Sequence, residues 1–145
     1  MKKIYETKEK SSIVHLDHKD ILRETNVGLW IMRLNLEENY MEMYADETME
    51  RIMAVEQKFT PQEYYNHWFN GIKEECRDYV LRCADAMIET GEIVSLEYSW
   101  IHPVQGEVTV RGCGKRVEDS DGMIVLKGYH HIVDSEQKVD EISVR

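Results

Sequence analysis

The stretch EIVSLEYSWIHPVQGEVTVRGCGKRVEDSDGMIVLKGYHHIVD, residues 92–134, decides the fold. Val94, Leu96, Tyr98, Trp100 and His102 fall on one face of an extended segment, with Ser95, Glu97 and Ser99 on the other. A period of two over this length predicts a strand. Pro103 to Gly106 supplies a turn. Val108 and Val110 then share a face with Gly112 and Gly114 in a second strand that is expected to end near Val117. Glu118-Asp119-Ser120-Asp121-Gly122 reads as the next turn, and Met123 to Asp134 as a third strand. Its two faces, Ile124, Leu126, His130 and Ile132 against Val125, Tyr129, His131 and Val133, are both partly apolar. A strand in the middle of a sheet has that pattern.

Upstream, Val27 to Asn35 alternates Trp30, Met32 and Leu34 with Ile31 and Arg33, and Tyr40 to Tyr44 places Met41 and Met43 on one face. These are two further strands joined by Leu36-Glu37-Glu38-Asn39. The middle of the chain is helical. Asp46 is placed to cap a helix carrying Met49, Ile52 and Met53. Thr60-Pro61-Gln62-Glu63 has the cap, the N1 proline and the reciprocal glutamate of a capping box, and its helix is expected to run to Asn70 with Gly71 as the stop. Ile72 to Thr90 reads as one longer helix with Cys76, Tyr79, Val80, Cys83, Met87 and Ile88 at helical spacing, closed by Gly91. Before Asn26, a short cap helix with Ile21 and Leu22 follows a polar start. The order strand, strand, helices, three strands predicts an α+β domain with helices packed on one sheet face.

At 145 residues the chain suits one domain. With 18 Lys and Arg against 28 Asp and Glu, the net charge is −10. A nucleic-acid surface needs a basic stripe, and an acidic chain is repelled by anionic membranes. No apolar run is long enough to span a bilayer, and the charged first ten residues do not resemble a signal peptide. The three cysteines, Cys76, Cys83 and Cys113, fit neither a disulfide framework nor a zinc signature. Reduced thiols in a cytoplasmic protein are the simplest expectation.

Three pieces carry a family resemblance: Gly28-Leu29-Trp30-Ile31, Glu97-Tyr98-Ser99-Trp100-Ile101-His102-Pro103, and Leu126-Lys127-Gly128-Tyr129-His130 leading to Ile132-Val133-Asp134. In order and spacing they resemble a PAS domain, of the subgroup with an aromatic first strand, over about Asp20 to Gln137. The pattern departs from that subgroup at His67-Trp68-Phe69-Asn70-Gly71-Ile72, where relatives carry an acidic turn, and at Ile132-Val133-Asp134-Ser135, where they close on Asp-Ile-Thr. The resemblance implies a five-stranded antiparallel sheet with helices over one face and a small pocket or a filled core between them. It also implies a division into an N-terminal tail or cap helix (1–19), a sensor domain (20–134) and the start of a C-terminal linker (135–145) to a missing output domain. Val139 and Ile142 are the apolar positions of that linker.

The residues exclude several chemistries such domains can carry. Cys76-Arg77 matches a step of the light-sensing flavin subgroup, but Glu75 precedes it and no Asn follows Asn70 to read a flavin ring. Cys76 reads instead as a small buried apolar residue. His67 and His130 are the candidate haem ligands. His130 and His131 point to opposite faces and cannot share a metal. No flavin, haem, metal or other cofactor is expected. Glu97 and His102 also fall on opposite faces and form no catalytic dyad. Arg111-Gly112-Cys113-Gly114-Lys115 lies in a strand, where its glycines permit close packing or a bulge.

What remains is the inner face: Trp30, Met32, Met41, Met43, Tyr98, Trp100, Val110, Leu126 and His130. They are core residues or the wall of a cavity for a small, partly apolar ligand, with Tyr98 or His130 as polar anchors. The expected function is that of a non-enzymatic sensory input and dimerisation domain of a bacterial histidine kinase or diguanylate cyclase. It would be homodimeric, joined to an output domain, and possess a ligand cavity. One alternative is a ligand-free protein-interaction domain. A small cone-shaped, isomerase-like enzyme is another, and it would need a carboxylate beside His130.

Overall fold

The computed structural model describes residues 18–133. Helix α1 (His18–Thr25) is followed by β1 (Gly28–Asn35) and β2 (Tyr40–Ala45), then by α2 (Glu47–Ile52), α3 (Pro61–Gly71) and α4 (Arg77–Thr90), and last by β3 (Val94–His102), β4 (Gly106–Ser120) and β5 (Met123–Val133). The five strands form one sheet in the order β2-β1-β5-β4-β3, every neighbour antiparallel. β5 is the central strand, and it has buried residues on both faces: Leu126 and His130 on one, Val125 and Val133 on the other. Expectations for residues 1–17 and for the linker 135–145 lie outside the described residues.

Local signals set the element ends. Asp46 accepts from the Met49 backbone N–H at 2.8 Å, capping α2, and from the Leu29 N–H at 3.1 Å, which ties that cap to β1. Thr60 and Glu63 form the reciprocal capping box of α3, with Oε1 of Glu63 2.7 Å from the Thr60 nitrogen. Gly91 closes α4 in the left-handed region at φ 69°, where glycine has no Cβ penalty.

The long helix expected from Ile72 to Thr90 is instead broken. Ile72 is extended and pairs with Trp100 as an isolated bridge, and the Lys73 N–H donates to the Ser99 carbonyl at 2.9 Å. A 3₁₀ turn, Glu74–Cys76, precedes α4. Burying Ile72 against the sheet competes with helical continuation, and Ile72 is 1% exposed. The Arg77 side chain donates to the Ile72 and Asn70 carbonyls freed by the break. Cys76, expected to be buried on a helix, is half-buried in this turn.

A second correction concerns β4. It runs past Val117 to Ser120 through a bulge. The turn narrows to Asp121-Gly122, at φ 53° and 75°. Two consecutive positive φ values make the two-residue hairpin whose twist matches the strands. Glu118 and Asp119, read as loop, belong to the strand end, where Arg116 pairs with Asp119, while Asp121 stays in the turn.

The helices cover the sheet face that carries Trp30, Met32, Leu34, Met43, Leu96, Tyr98, Trp100, Val110 and Leu126. α2 lies against β1, α3 mainly against β2, and α4 against β3, β4 and β5. α1 buries no residue.

Candidate functional site

A chain of polar contacts crosses the interior. The Trp30 indole N–H donates to His130 Nδ1 at 2.7 Å. His130 Nε2 lies 2.7 Å from the Tyr98 hydroxyl, and the Trp68 indole N–H donates to that same hydroxyl at 2.8 Å. The Trp100 indole N–H continues the series to the Trp68 carbonyl at 2.8 Å. The contacts link β1, β5, β3 and α3. Strand alternation explains how residues so far apart meet. Trp30, Tyr98 and His130 are inner-face positions of three strands, and Trp68 is the buried residue of α3 facing them.

The indole of Trp30 fits because the neighbouring strands have no side chains beneath it. A Cβ at Gly128 would stand 2.4 Å from Trp30 Cζ2, and one at Gly114 would stand 2.7 Å from Cη2. The ring meets His130 edge-on, with centroids 5.7 Å apart at 75°. His130 is 3% exposed. Burial lowers its pKa from 6.5 to about 4 and raises that of the Tyr98 hydroxyl, so both are neutral at pH 7.

Counting protons shows how this node is poised. Trp30, Trp68, Tyr98 and neutral His130 bring one N–H or O–H each. If Nδ1 accepts from Trp30, then Nε2–H donates to Tyr98, which already accepts from Trp68. The Tyr98 proton then has no acceptor among the described residues. If instead Nδ1–H donates to the Tyr129 carbonyl, 2.8 Å away, then Tyr98 donates to Nε2 and the Trp30 N–H loses its acceptor. Either way one proton of the four is unpaired, and both imidazole nitrogens are engaged.

The expected cavity beside this node is almost filled. Trp30, Met32, Leu126 and His130 help line a hollow of about 20 Å³, room for about one water molecule. An adjoining hollow of about 70 Å³ is bordered by Met32, Met41 and Leu126. Met43, Tyr98, Trp100 and Val110, though on the same face, line neither hollow. Met43 and Trp100 are buried core, while Met41 is half-buried at the edge. Tyr98 and His130 are not free anchors, because they are bonded to each other.

Other residues weighed in the sequence are occupied elsewhere. His67 donates from Nε2 to the Met53 carbonyl at 2.7 Å. His131 sits on the face opposite His130. Gly112, Gly114 and Gly128 permit close approach, as read for the first two; a Cβ at Gly112 would be 2.1 Å from the Tyr129 carbonyl oxygen. Among the described residues no group of three or more His, Cys, Asp or Glu is arranged to hold a metal ion, and no helix is long and apolar enough to cross a membrane.

Sequence reasoning missed Trp68 as the fourth member of the chain. It also missed the seam between α3 and α4, where Tyr65, Leu81 and Ala84 border the 70 Å³ hollow. The available signal was on α3, where Tyr65 and Phe69 stand four residues apart and stack at 6.0 Å, 9° from parallel.

A family model described as the PAS fold matches residues 42–130, more than half of the chain. No curated protein sequence matches. Among solved structures, the fold is similar to that of a sensory box histidine kinase/response regulator from Burkholderia thailandensis, with TM-score 0.62 at 20% identity over 89% of this chain and 93% of that one. It is also similar to the N-terminal domain of a diguanylate cyclase with a PAS/PAC sensor from Marinobacter aquaeolei, with TM-score 0.52 at 19% identity, covering 75% and 98%. The PAS domain of a protein from Colwellia psychrerythraea matches with TM-score 0.57 at 8% identity, covering 90% and 97%. A helix-covered five-stranded sheet in the order β2-β1-β5-β4-β3, matched over residues 42–130 by that family model, makes this chain a member of the PAS fold family.

Proposed function

We propose that this chain is a non-catalytic regulatory input and dimerisation module of a bacterial signal-transduction protein, and that it controls a histidine kinase or diguanylate cyclase output from the cytoplasm. The observation that carries this reading is the polar chain from Trp68 to Trp30. It couples the helix layer to β5, whose end at Val133 leads into residues 134–145. Its one unpaired proton leaves two bonding arrangements, and an equilibrium of that kind is shifted by whatever favours one state over the other.

Dimerisation is supported by the sheet face opposite α2, α3 and α4, over which no helix of the described residues packs. Leu29 and Tyr129 are register partners there, both exposed, and Tyr44 and Ile101 extend the apolar surface. The resemblance to domains of a histidine kinase and a diguanylate cyclase supports the kind of output. An isomerase-like reading has no comparable support, because Trp30 and Tyr98 already engage both nitrogens of His130.

One observation favours a second reading, a ligand-free interaction module: the hollow beside Trp30 is only about 20 Å³. The test uses the full-length protein, with light scattering for its mass and an assay of the output domain. A dimer whose output changes when Tyr98→Phe alters the node supports the input role. A monomer at high concentration, with output indifferent both to Tyr98→Phe and to deletion of residues 18–133, would refute it. A dimer whose output responds to a partner protein but to no small molecule selects the second reading.

A further inference from the structure

The sheet face away from α2, α3 and α4 differs in charge from the rest of the molecule. Strand alternation turns outward the odd-numbered residues of Leu29–Asn35 in β1, Thr109–Val117 in β4 and Val125–Val133 in β5. Four of these positions are Lys or Arg and none is Asp or Glu, in a chain with 28 acidic residues against 18 basic ones. Two of the four are met by carboxylates from the flanking strands: Glu42 of β2 pairs with Arg33 at 3.0 Å, and Glu97 of β3 with Arg111 at 2.8 Å. Glu107 and Asp119, at the ends of β4, pair with Lys73 and Arg116. Lys115 and Lys127 are left, register partners across β4 and β5. Like charges directly opposite each other destabilise a sheet. Lys115 donates to the Gly91 carbonyl at 2.6 Å, which holds its ammonium without neutralising it, and neither lysine has a carboxylate partner among the described residues.

Apolar side chains flank the lysines. Lys127 stands beside Ile31 of β1, and Ile31 beside Tyr44 of β2, while the next outward row pairs Leu29 with Tyr129. Leu29, Tyr44 and Tyr129 are exposed. We propose that this face docks an acidic segment of a partner protein, with carboxylates set between aliphatic side chains, and that the segment and a second copy of this chain compete for it. The proposal deepens the input-module reading and rests on it only for the competition. Charge complementarity selects the occupant. Carboxylates spaced along a segment meet Lys127 and Lys115 separately. A small free anion would need both ammoniums at one point, and the bond to Gly91 draws Lys115 away. A long polyanion such as a nucleic acid is repelled by the net charge of −10. The same face of a second copy sets cations against cations, and juxtaposed like charges disfavour an interface. A dimer built on Leu29, Tyr44 and Tyr129 forms against that repulsion. The acidic segment covers Ile31 and Tyr129 as well, so one occupant displaces the other.

Titration of the whole chain by ¹H–¹⁵N NMR with four probes tests this: the peptides (Leu-Glu-Glu-Leu)₃, (Leu-Lys-Lys-Leu)₃ and (Ser-Glu-Glu-Ser)₃, and oligothymidylate. The first is expected to shift the backbone signals of Leu29, Lys127 and Tyr129. Half-saturation should come at a concentration at least tenfold below that of each other probe. Added salt should raise that concentration, because exposed charges are screened. Lys127→Glu should raise it at least tenfold and Lys127→Arg less than twofold, and both changes fall on an exposed side chain. Equal binding of the lysine peptide, equal binding of the serine peptide, tighter binding of oligothymidylate, shifts confined to other surfaces, or no shift at all would each overturn the docking. Light scattering on the same samples should show the mass of the dimer falling as the acidic peptide binds, and a dimer that keeps its mass with the peptide bound overturns the competition. A dimer that binds no peptide refutes only the docking surface. A monomer at every concentration that still binds the peptide refutes the dimer, and with it the competition, but not the docking.

Discussion

The helix–sheet interface is closed at one end and ajar at the other. Around Trp30 three strands meet: glycines on β4 and β5 make a slot, the indole fills it, and His130, Tyr98 and Trp68 join it through buried hydrogen bonds. Between α3 and α4 the exposed amides of Gln62 and Asn66 stand above a hollow of about 70 Å³. The difference shows where a domain of this fold keeps its adaptability. The strands have one register and one set of partners, so a cavity at the slot would cost both packing and hydrogen bonds. α3 rests mainly on β2 and α4 on β3, β4 and β5, and Trp68 ties α3 to β3 as well. Elements that move on binding are usually drawn from the less stable parts of a fold.

Substitutions can break this contrast, and the largest effect belongs to the closed end. Trp30→Ala should destabilise the domain by about 4 kcal/mol in urea denaturation, because it empties the glycine slot and strips His130 of its donor. Indole added to the variant should recover part of the loss. A cost below about 1 kcal/mol would mean that the slot collapses and is not a fixed cavity.

Next in size is a pH dependence. The folded-state pKa of His130 is depressed from 6.5 to about 4. As pH falls below 6.5 the unfolded chain takes up this proton first, so the stabilisation is complete above 6.5 and is lost as pH approaches 4. The contribution amounts to about 3 kcal/mol. Urea midpoints measured between pH 7 and 4 should fall accordingly in the parent, and His130→Gln should remove most of that slope. An identical slope in both would assign the pH dependence to other groups.

Tyr98→Phe should cost about 2 kcal/mol, since it leaves the Trp68 N–H and the facing His130 nitrogen without their shared partner. The smallest effect belongs to the open end. Asn66→Ala should change stability by less than about 0.5 kcal/mol by thermal or urea unfolding. A large loss there would show that the seam is a structural contact, and the contrast between the two ends would disappear.

Much of the architecture was legible because period and punctuation are local. Thr60-Pro61-Gln62-Glu63 announced a helix start, and the capping box is present. Leu36–Asn39 is a turn as read, and the turn read over Pro103–Gly106 covers Pro103–Gln105, with Gly106 opening β4. The alternation in residues 92–134 placed Tyr98, Trp100, Leu126 and His130 on one face. The misreadings have one cause, which is that a distant partner outweighed a local preference. Ile72 leaves the helix to bury itself beside Trp100, and β4 continues past Val117 because β5 offers it hydrogen bonds across the bulge. The inner-face residues were identifiable from parity, but parity cannot say whether a face is filled. The space beside Trp30 depends on Gly114 and Gly128 from other strands, and the seam depends on where two helices come to rest.

Neighbours a few residues apart were enough to specify the five strands, the helix caps and the family resemblance, and composition alone gave the acidic charge. Long-range packing set the rest: His130 is held neutral between Trp30 and Tyr98, the expected pocket is occupied by the protein's own indole, and the space left under the helices lies between α3 and α4. Trp30 and His130 are 100 positions apart. Contacts over that separation are set by sheet order and by the volume left between layers, and neither quantity is encoded in any short stretch of the chain.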